Sequence, residues 1–207
     1  VTIYLPNHFK NDNAAQALQV VDQYPFATLI SVVGNEPFIS HCPIMITPSD
    51  AGPILEGHVA RANAHHQHWL VNAATLAIFQ GPNAYISPTV YSRVENVPTW
   101  NYIAVHVHGQ IQAIDGEGDK HALLKRLIAK LEPSYKAQWD GLNPAYQSRM
   151  LGAIVGFQIR IERIEAKFKL SQNRLPEDKR GVLAAMRSGG AQHRELAAWM
   201  EQLGVGV

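Results

Sequence analysis

Apolar and polar positions alternate along this chain in ways that define most of its elements. Residues 11–23, NDNAAQALQVVDQ, place Ala14, Ala15, Leu18 and Val21 at helical spacing, with Asn11, Asp12 or Asn13 as N-cap and Tyr24-Pro25 as the stop. Two apolar runs follow, 27–33 and 38–47, joined by Gly34-Asn35-Glu36-Pro37. They read as a hairpin whose strands are largely buried on both faces, with Pro43 marking an edge or a bulge. A third strand, 54–60, leads into a short helix over 63–71 capped by Asn63. Two short strands, 76–81 and 84–88, precede a turn-rich segment, and a long strand over 102–114 carries Val105, Val107, Ile111 and Ala113 on one face. The spacing of Leu123, Leu124, Leu127, Ile128 and Leu131 predicts a helix over 119–131. A linker containing Trp139, a last strand over 154–168 and two helices, 177–187 and 191–203, complete the pattern, the helices separated by Ser188-Gly189-Gly190.

Six or more short strands with few helices do not make the alternation of a parallel α/β sheet. The pattern predicts a mainly β (α+β) chain, an antiparallel barrel or sandwich with a helical tail. The domain reading is a barrel body over 1–168 and a helical tail over 169–207, packed on the barrel or on a partner subunit.

Composition narrows the partners. The 207 residues carry 18 Lys+Arg against 17 Asp+Glu, a formal charge of +1 that excludes a polybasic arm. The charges are unevenly spread: residues 1–100 hold three basic groups (Lys10, Arg61, Arg93), whereas 158–207 hold nine. Residues 62–92 lack any Lys, Arg, Asp or Glu, yet their His, Asn, Gln and Pro residues make them unsuitable as a membrane span. No secretory signal opens the sequence, so a cytoplasmic location with no membrane partner is expected. The single Cys42 excludes an intrachain disulfide framework and multi-cysteine metal sites.

The side chains offer five candidate chemistries. His65, His66 and His68 cluster, and His106 and His108 share a strand face, but no carboxylate lies nearby in sequence. They are read as a polar helix face and a polar strand face, with no metal ligands assigned. Ser87, Ser92 and Cys42 lack a nucleophile elbow, so no catalytic residue is assigned and Cys42 is read as buried. Arg61, at a strand-to-helix junction, is either a phosphate clamp or a surface arginine paired with Glu56 or another carboxylate. Tyr85, Tyr91, Trp100 and Tyr102, with the amides of Gln80, Asn83 and Asn101, suit a flat heteroaromatic ring or serve ordinary packing. The two tail helices have helix-turn-helix proportions, but few cations; packing is the favoured reading over DNA contact.

Eight runs converge on one resemblance: YLPNHF (4–9), YPFATLIS (24–31), GHVARAN (57–63), FQGPNAYISPTVY (79–91), VPTWNY (97–102), VHVHG (105–109), IVGF (154–157) and KLSQNR (169–174). From about residue 3 to 187 the chain resembles the PaiB-like negative transcriptional regulators of the FMN-binding split β-barrel superfamily. The resemblance implies a split antiparallel β-barrel with flanking helices, a homodimer with FMN at the subunit interface, and repression of bacterial degradative-enzyme and sporulation genes, with DNA as a candidate partner. It implies phosphate ligands at His58, Arg61 and Asn63, a flavin ring near Gln80, Tyr85, Trp100 and Asn101, and Lys169, Gln172, Asn173 and Arg174 approaching from the tail. The paired Arg-Lys cluster of oxidase-type split barrels is missing. Two alternatives within the superfamily are a flavin-dependent oxidoreductase of a small substrate and a haem-binding or haem-utilisation protein.

Overall fold

Gly34 and Asn35 both adopt positive φ, 59° and 69°, the geometry of a two-residue hairpin turn whose twist matches the strands it joins. That turn connects β2 (Phe26–Val33) to β3 (Glu36–Thr47), in register from Phe26↔Pro43 to Val33↔Glu36. In the computed structural model, which describes residues 3–207, five further strands complete the set: β1 (Lys10–Asn11), β4 (Ile54–Ala60), β5 (Ala74–Ile86), β6 (Thr99–Ile114) and β7 (Ile154–Lys169). Their order is β1-β7-β4-β3-β2-β5-β6, and β6 also pairs with β7, closing the ring of pairings. The pairs β1–β7, β2–β3, β2–β5, β3–β4 and β4–β7 are all antiparallel. Where β6 meets β7, a Cβ on Gly109 would lie 2.2 Å from the Arg160 carbonyl oxygen, so only glycine permits the approach.

The chain divides into two compact units, and the long strands β5, β6 and β7 each run through both. One unit comprises 24–78 and 107–164. Leu29, Ile44, Leu55, Phe157 and Ile159 form its core, and Trp69 meets Phe157 edge-on at 5.2 Å. Its helices are α2 (His65–His68), α3 (Glu117–Leu131), α4 (Lys136–Asp140) and α5 (Pro144–Gly152). The other unit comprises 3–23, 79–106 and 165–207, with α1 (Ala14–Gln23), α6 (Pro176–Ser188) and α7 (Ala191–Gln202). There α6 and α7 form a hairpin, Trp199 packs edge-on against Phe168 at 5.4 Å, and the side chains of Gln202 and Gln19 are hydrogen-bonded at 2.9 Å.

Several expectations need correcting. The hairpin is not buried on both faces: Ala27, Leu29 and Ser31 point inward, while Phe26, Val32 and Ile39 are exposed. Pro43 lies in a strand with neighbours on both sides. It forms the last pair with β2, immediately before pairing with β4 begins at Ile44, and a missing N–H is tolerated at such a handover. The Gly81-Pro82-Asn83 run does not split β5, which continues from Ala74 to Ile86. The α2 helix is a single turn, because His68, Trp69 and the residues after it close local turns instead. The Trp139 linker is largely helical: Asn143 caps α5 by accepting from the Ala145 N–H at 2.8 Å, with Pro144 at the favoured first position.

Candidate functional site

Strand alternation in the unit formed by 3–23, 79–106 and 165–207 turns the Trp100 and Tyr102 side chains to one face of β6 and Asn101 and Ile103 to the other. On the Trp100 side lies a cavity of about 270 Å³ lined by Gln80, Gly81, Asn83, Trp100, Tyr102 and their neighbours. Trp100 Nε1 donates to Asn83 Oδ1 at 3.2 Å, which fixes the indole and leaves the Asn83 NH₂ as the donor at the cavity edge. Tyr85 meets Trp100 edge-on at 6.1 Å, and both rings are about half exposed, 51% and 48%. Such a wall of partly exposed aromatic faces beside amide groups is what a flat heteroaromatic ligand needs.

Cations gather behind this wall. Lys169 Nζ donates to Trp100 O at 2.7 Å and to Thr99 Oγ1 at 2.5 Å, tying the end of β7 to the start of β6. Burial pushes its ammonium pKa down, and the nearby charges of Lys167 and Arg174 push it further in the same direction. Lys167 lies 5.3 Å from the Tyr102 ring centre and 5.0 Å from that of Tyr4, and donates to Tyr4 O at 2.8 Å. Arg174 stacks over Tyr91 at 4.4 Å and donates to Asn96 Oδ1 at 2.9 Å.

Other residues of the same unit hold the frame. Asn101 is wholly buried and exchanges hydrogen bonds with Ser171 at 2.9 and 3.2 Å, so its amide is turned away from the Trp100 face. Ser171 has φ 67°, and its left-handed turn is closed by Gln172, whose Oε1 accepts from Leu170 N at 2.7 Å and whose Nε2 donates to Phe168 O. Asn173 is exposed on the following turn. Asp178 accepts from both the N–H and the hydroxyl of Ser92 at 2.7 and 2.9 Å, and the backbone bond above all holds its carboxyl below the usual range.

His58, Arg61 and Asn63 belong to the unit formed by 24–78 and 107–164. His58 pairs with Gly156 across β4 and β7, and burial lowers its pKa. Arg61 donates through Nε to Gly152 O at 2.8 Å and through Nη2 to Ile154 O at 3.1 Å, and its fork closes on Asp115. Lys120 joins that carboxylate at 3.2 Å, and the hydrogen bonds from Arg61 and Lys120 hold the Asp115 pKa down. The carboxylate facing Arg61 is therefore Asp115, not Glu56. Glu56 is buried and takes a bidentate pair from Arg126 at 2.9 and 2.8 Å, an arrangement that sequence spacing does not reveal. Asn63 donates to Ser40 Oγ at 2.9 Å and accepts from His65 N at 3.0 Å, a local turn just ahead of α2, whose N-cap position is Ala64 rather than the expected Asn63. The expected polar histidine face is only partly polar: His65 is wholly buried, its pKa pushed down to about 4 by burial and then by His68.

The same unit exposes an apolar strip on its sheet. Register puts Phe26, Ile30, Val32, Ile39, Leu76 and Ile78 on one face, with Phe26 67% and Ile39 51% exposed.

The ring of antiparallel pairings and the aromatic cavity on β5 and β6 define an antiparallel split barrel, the fold of flavin-binding proteins. Two solved structures share it: the flavocytochrome Anf3 from Azotobacter vinelandii (TM-score 0.63, 14% identity, 80% of this chain and 72% of that one) and the FAD and haem binding protein from Mycobacterium smegmatis (TM-score 0.63, 14% identity, 87% and 80%). The chain belongs to the family described as "Putative FMN-binding domain", whose model matches residues 3–163. It is also 36% identical over 191 residues, 90% of both chains, to the protease synthase and sporulation protein PAI 2 of Bacillus subtilis. An uncharacterized protein of Emericella nidulans is 26% identical over 212 residues, covering 86% of this chain and 84% of that one.

Proposed function

We propose that this chain is an FMN-binding homodimer that acts in the cytoplasm as a negative regulator of transcription, a reading supported by the resemblance to the PaiB-like regulators and by membership of the family described as a putative FMN-binding domain. The observation that carries the reading is the cavity on the Trp100 face. Trp100 and Tyr85 offer ring faces, the Asn83 NH₂ offers a donor to an acceptor atom on the ring edge, and Lys169 brings a positive charge to the back of the wall. These residues fit the ring of a flavin. FMN, when bound, supplies a redox-active centre. The chain's own groups hold the ring flat, exclude water from one face and place positive charge beside it. The donors of Arg61 are engaged by Asp115 and two carbonyls, which makes it a brace within its unit. Its charge is met by the Asp115 carboxylate, whereas Lys169 donates to a hydroxyl and a carbonyl and Arg174 to an amide oxygen, so these two are the cations assigned to the phosphate.

The apolar positions around Phe26 and Ile39, interrupted by the Thr28–His41 pair, support self-association, since a largely apolar exposed sheet face is what a second copy would cover. Ile39→Glu is expected to convert the dimer to monomer in light scattering.

Absorption of the purified chain and a fluorescence titration with FMN test the flavin reading. Uptake of one FMN per chain, weakened by Trp100→Ala and Lys169→Ala, is expected. A chain that neither carries nor takes up FMN overturns it, and a haem band instead of a flavin spectrum favours the haem reading. Flavin that NADH or NADPH readily reduces favours an oxidoreductase. Promoter-fragment mobility shifts, with Arg194→Glu on α7 as the variant, test DNA contact.

A further inference from the structure

His65 and His68 lie one helical turn apart in α2, and each has a ring nitrogen shut off from water with no hydrogen-bond partner: Nε2 of His65 and Nδ1 of His68. Buried polar atoms in native proteins are nearly always paired, so these two orphan nitrogens, beside the equally unpaired Nε1 of Trp69, call for an occupant. The two ring centres are 6.4 Å apart with planes at 85°. With roughly 1 Å from ring centre to nitrogen, the two nitrogens come no closer than about 4 Å, too far for a hydrogen bond. A straight N–metal–N arrangement with two bonds of about 2 Å each spans that lower limit, so a cation bridging the two rings needs both nitrogens turned toward each other.

The surroundings suit a ligand pair. The other nitrogen of His65, Nδ1, is 2.8 Å from Ser40 Oγ, and that hydroxyl accepts from Asn63 Nδ2 at 2.9 Å. A ring held through one nitrogen while the other is bare is how metal-ligating histidines are oriented. Phe38 lies 4.9 Å from the His65 ring and 4.7 Å from that of His68, and Trp69 lies 5.6 Å from His65, so aromatic faces surround the gap. His66 takes no part, because its Nδ1 is 2.7 Å from Asn63 O. Among the described residues no group of three or more His, Cys, Asp or Glu is placed to hold a metal, which leaves zinc without the three or four ligands it takes.

We propose that His65 and His68 form a two-coordinate site for a soft monovalent cation, Cu(I), with Ag(I) as its redox-inert substitute. The cation bonds to Nε2 of His65 and Nδ1 of His68. The His65 proton then resides on Nδ1 and is donated to Ser40 Oγ, so binding needs no carboxylate and no redox step. This site is independent of the flavin cavity.

The test is anaerobic titration of the full chain with Cu(I) against a chromophoric Cu(I) chelator, paired with Ag(I) titration followed by imidazole NMR. One tightly held ion per chain is expected, with Ag(I) shifting the resonances of His65 and His68. His68→Gln, at a half-buried position, is expected to weaken binding by at least about 100-fold, beyond the ~10–100-fold that loss of an outer-shell partner brings, with unchanged circular dichroism. X-ray absorption of the Cu(I) form is expected to show two nitrogen scatterers and no sulfur. Binding that survives His68→Gln in the folded chain, resonance shifts confined to other histidines, a sulfur scatterer from Cys42, or no tight binding overturns the proposal.

Discussion

Two glycine-to-alanine changes in helices should have opposite signs, because one glycine faces open space and the other faces a carbonyl. Gly181 is inside α6, where alanine is ordinarily favoured by about 1 kcal/mol. Here an ideal Cβ would lie 2.2 Å from the Val90 carbonyl oxygen, which ends the short 3-10 turn Pro88–Val90. A carbon–oxygen contact needs roughly 3.3 Å, so helix or turn must retreat by about 1 Å. Overpacking of this kind costs about 1–3 kcal/mol, and a backbone atom is the least yielding neighbour, which places the cost near ~3. Subtracting the propensity gain leaves Gly181→Ala about 2 kcal/mol less stable than the parent, or roughly 6 °C in Tm for a chain of this size. Gly118, near the start of α3, has nothing within 4 Å of its Cβ position. Gly118→Ala is therefore expected to stabilise by about 0.5 kcal/mol. Denaturant unfolding with m held constant measures both. A Gly181→Ala chain as stable as the parent, or a Gly118→Ala chain that is the weaker of the two, would refute the steric reasoning.

Further outcomes follow from the same contacts. Arg126→Ala leaves the buried Glu56 carboxylate without its bidentate partner, and a loss of about 2–3 kcal/mol is expected by denaturant unfolding; Glu56→Gln in the same background should recover part of it. Asp178 has its carboxyl pKa lowered in the folded chain, so its contribution is complete above about pH 4 and declines as pH falls toward the native value. Asp178→Asn should flatten the acid side of the stability–pH curve, which unfolding midpoints between neutral and acid pH will show. Trp100→Ala removes a ring face from the cavity and should raise the Kd for FMN about 10-fold, equivalent to roughly 1.4 kcal/mol, in fluorescence titration.

Where local patterning controls structure, the sequence was legible. Gly34-Asn35 announces the hairpin because positive φ is cheap there, and the leucine spacing announces α3 because one stripe of it is covered. The aromatic residues and amides proposed for ring binding lie close in sequence on two strands, and Gln80, Asn83, Trp100 and Tyr102 do line one cavity. Asn101 was not separable from them, because strand alternation turns its amide to the opposite face and buries it against Ser171. Gly81-Pro82-Asn83 looked like a break because turn propensity is local, whereas β5 is held extended by its neighbours in the sheet.

By itself, then, the sequence determined the antiparallel β class, the helical tail and the family, because periodicity, turn residues and ordered runs are one-dimensional properties. Only the tertiary structure decided who meets whom. Arg61 finds Asp115 across 54 positions, Arg126 finds Glu56 across 70, and His65 leaves a polar-looking run to lie wholly buried beside Ser40. Strand register and helix docking set those meetings, and they depend on the whole sheet rather than on any segment of it.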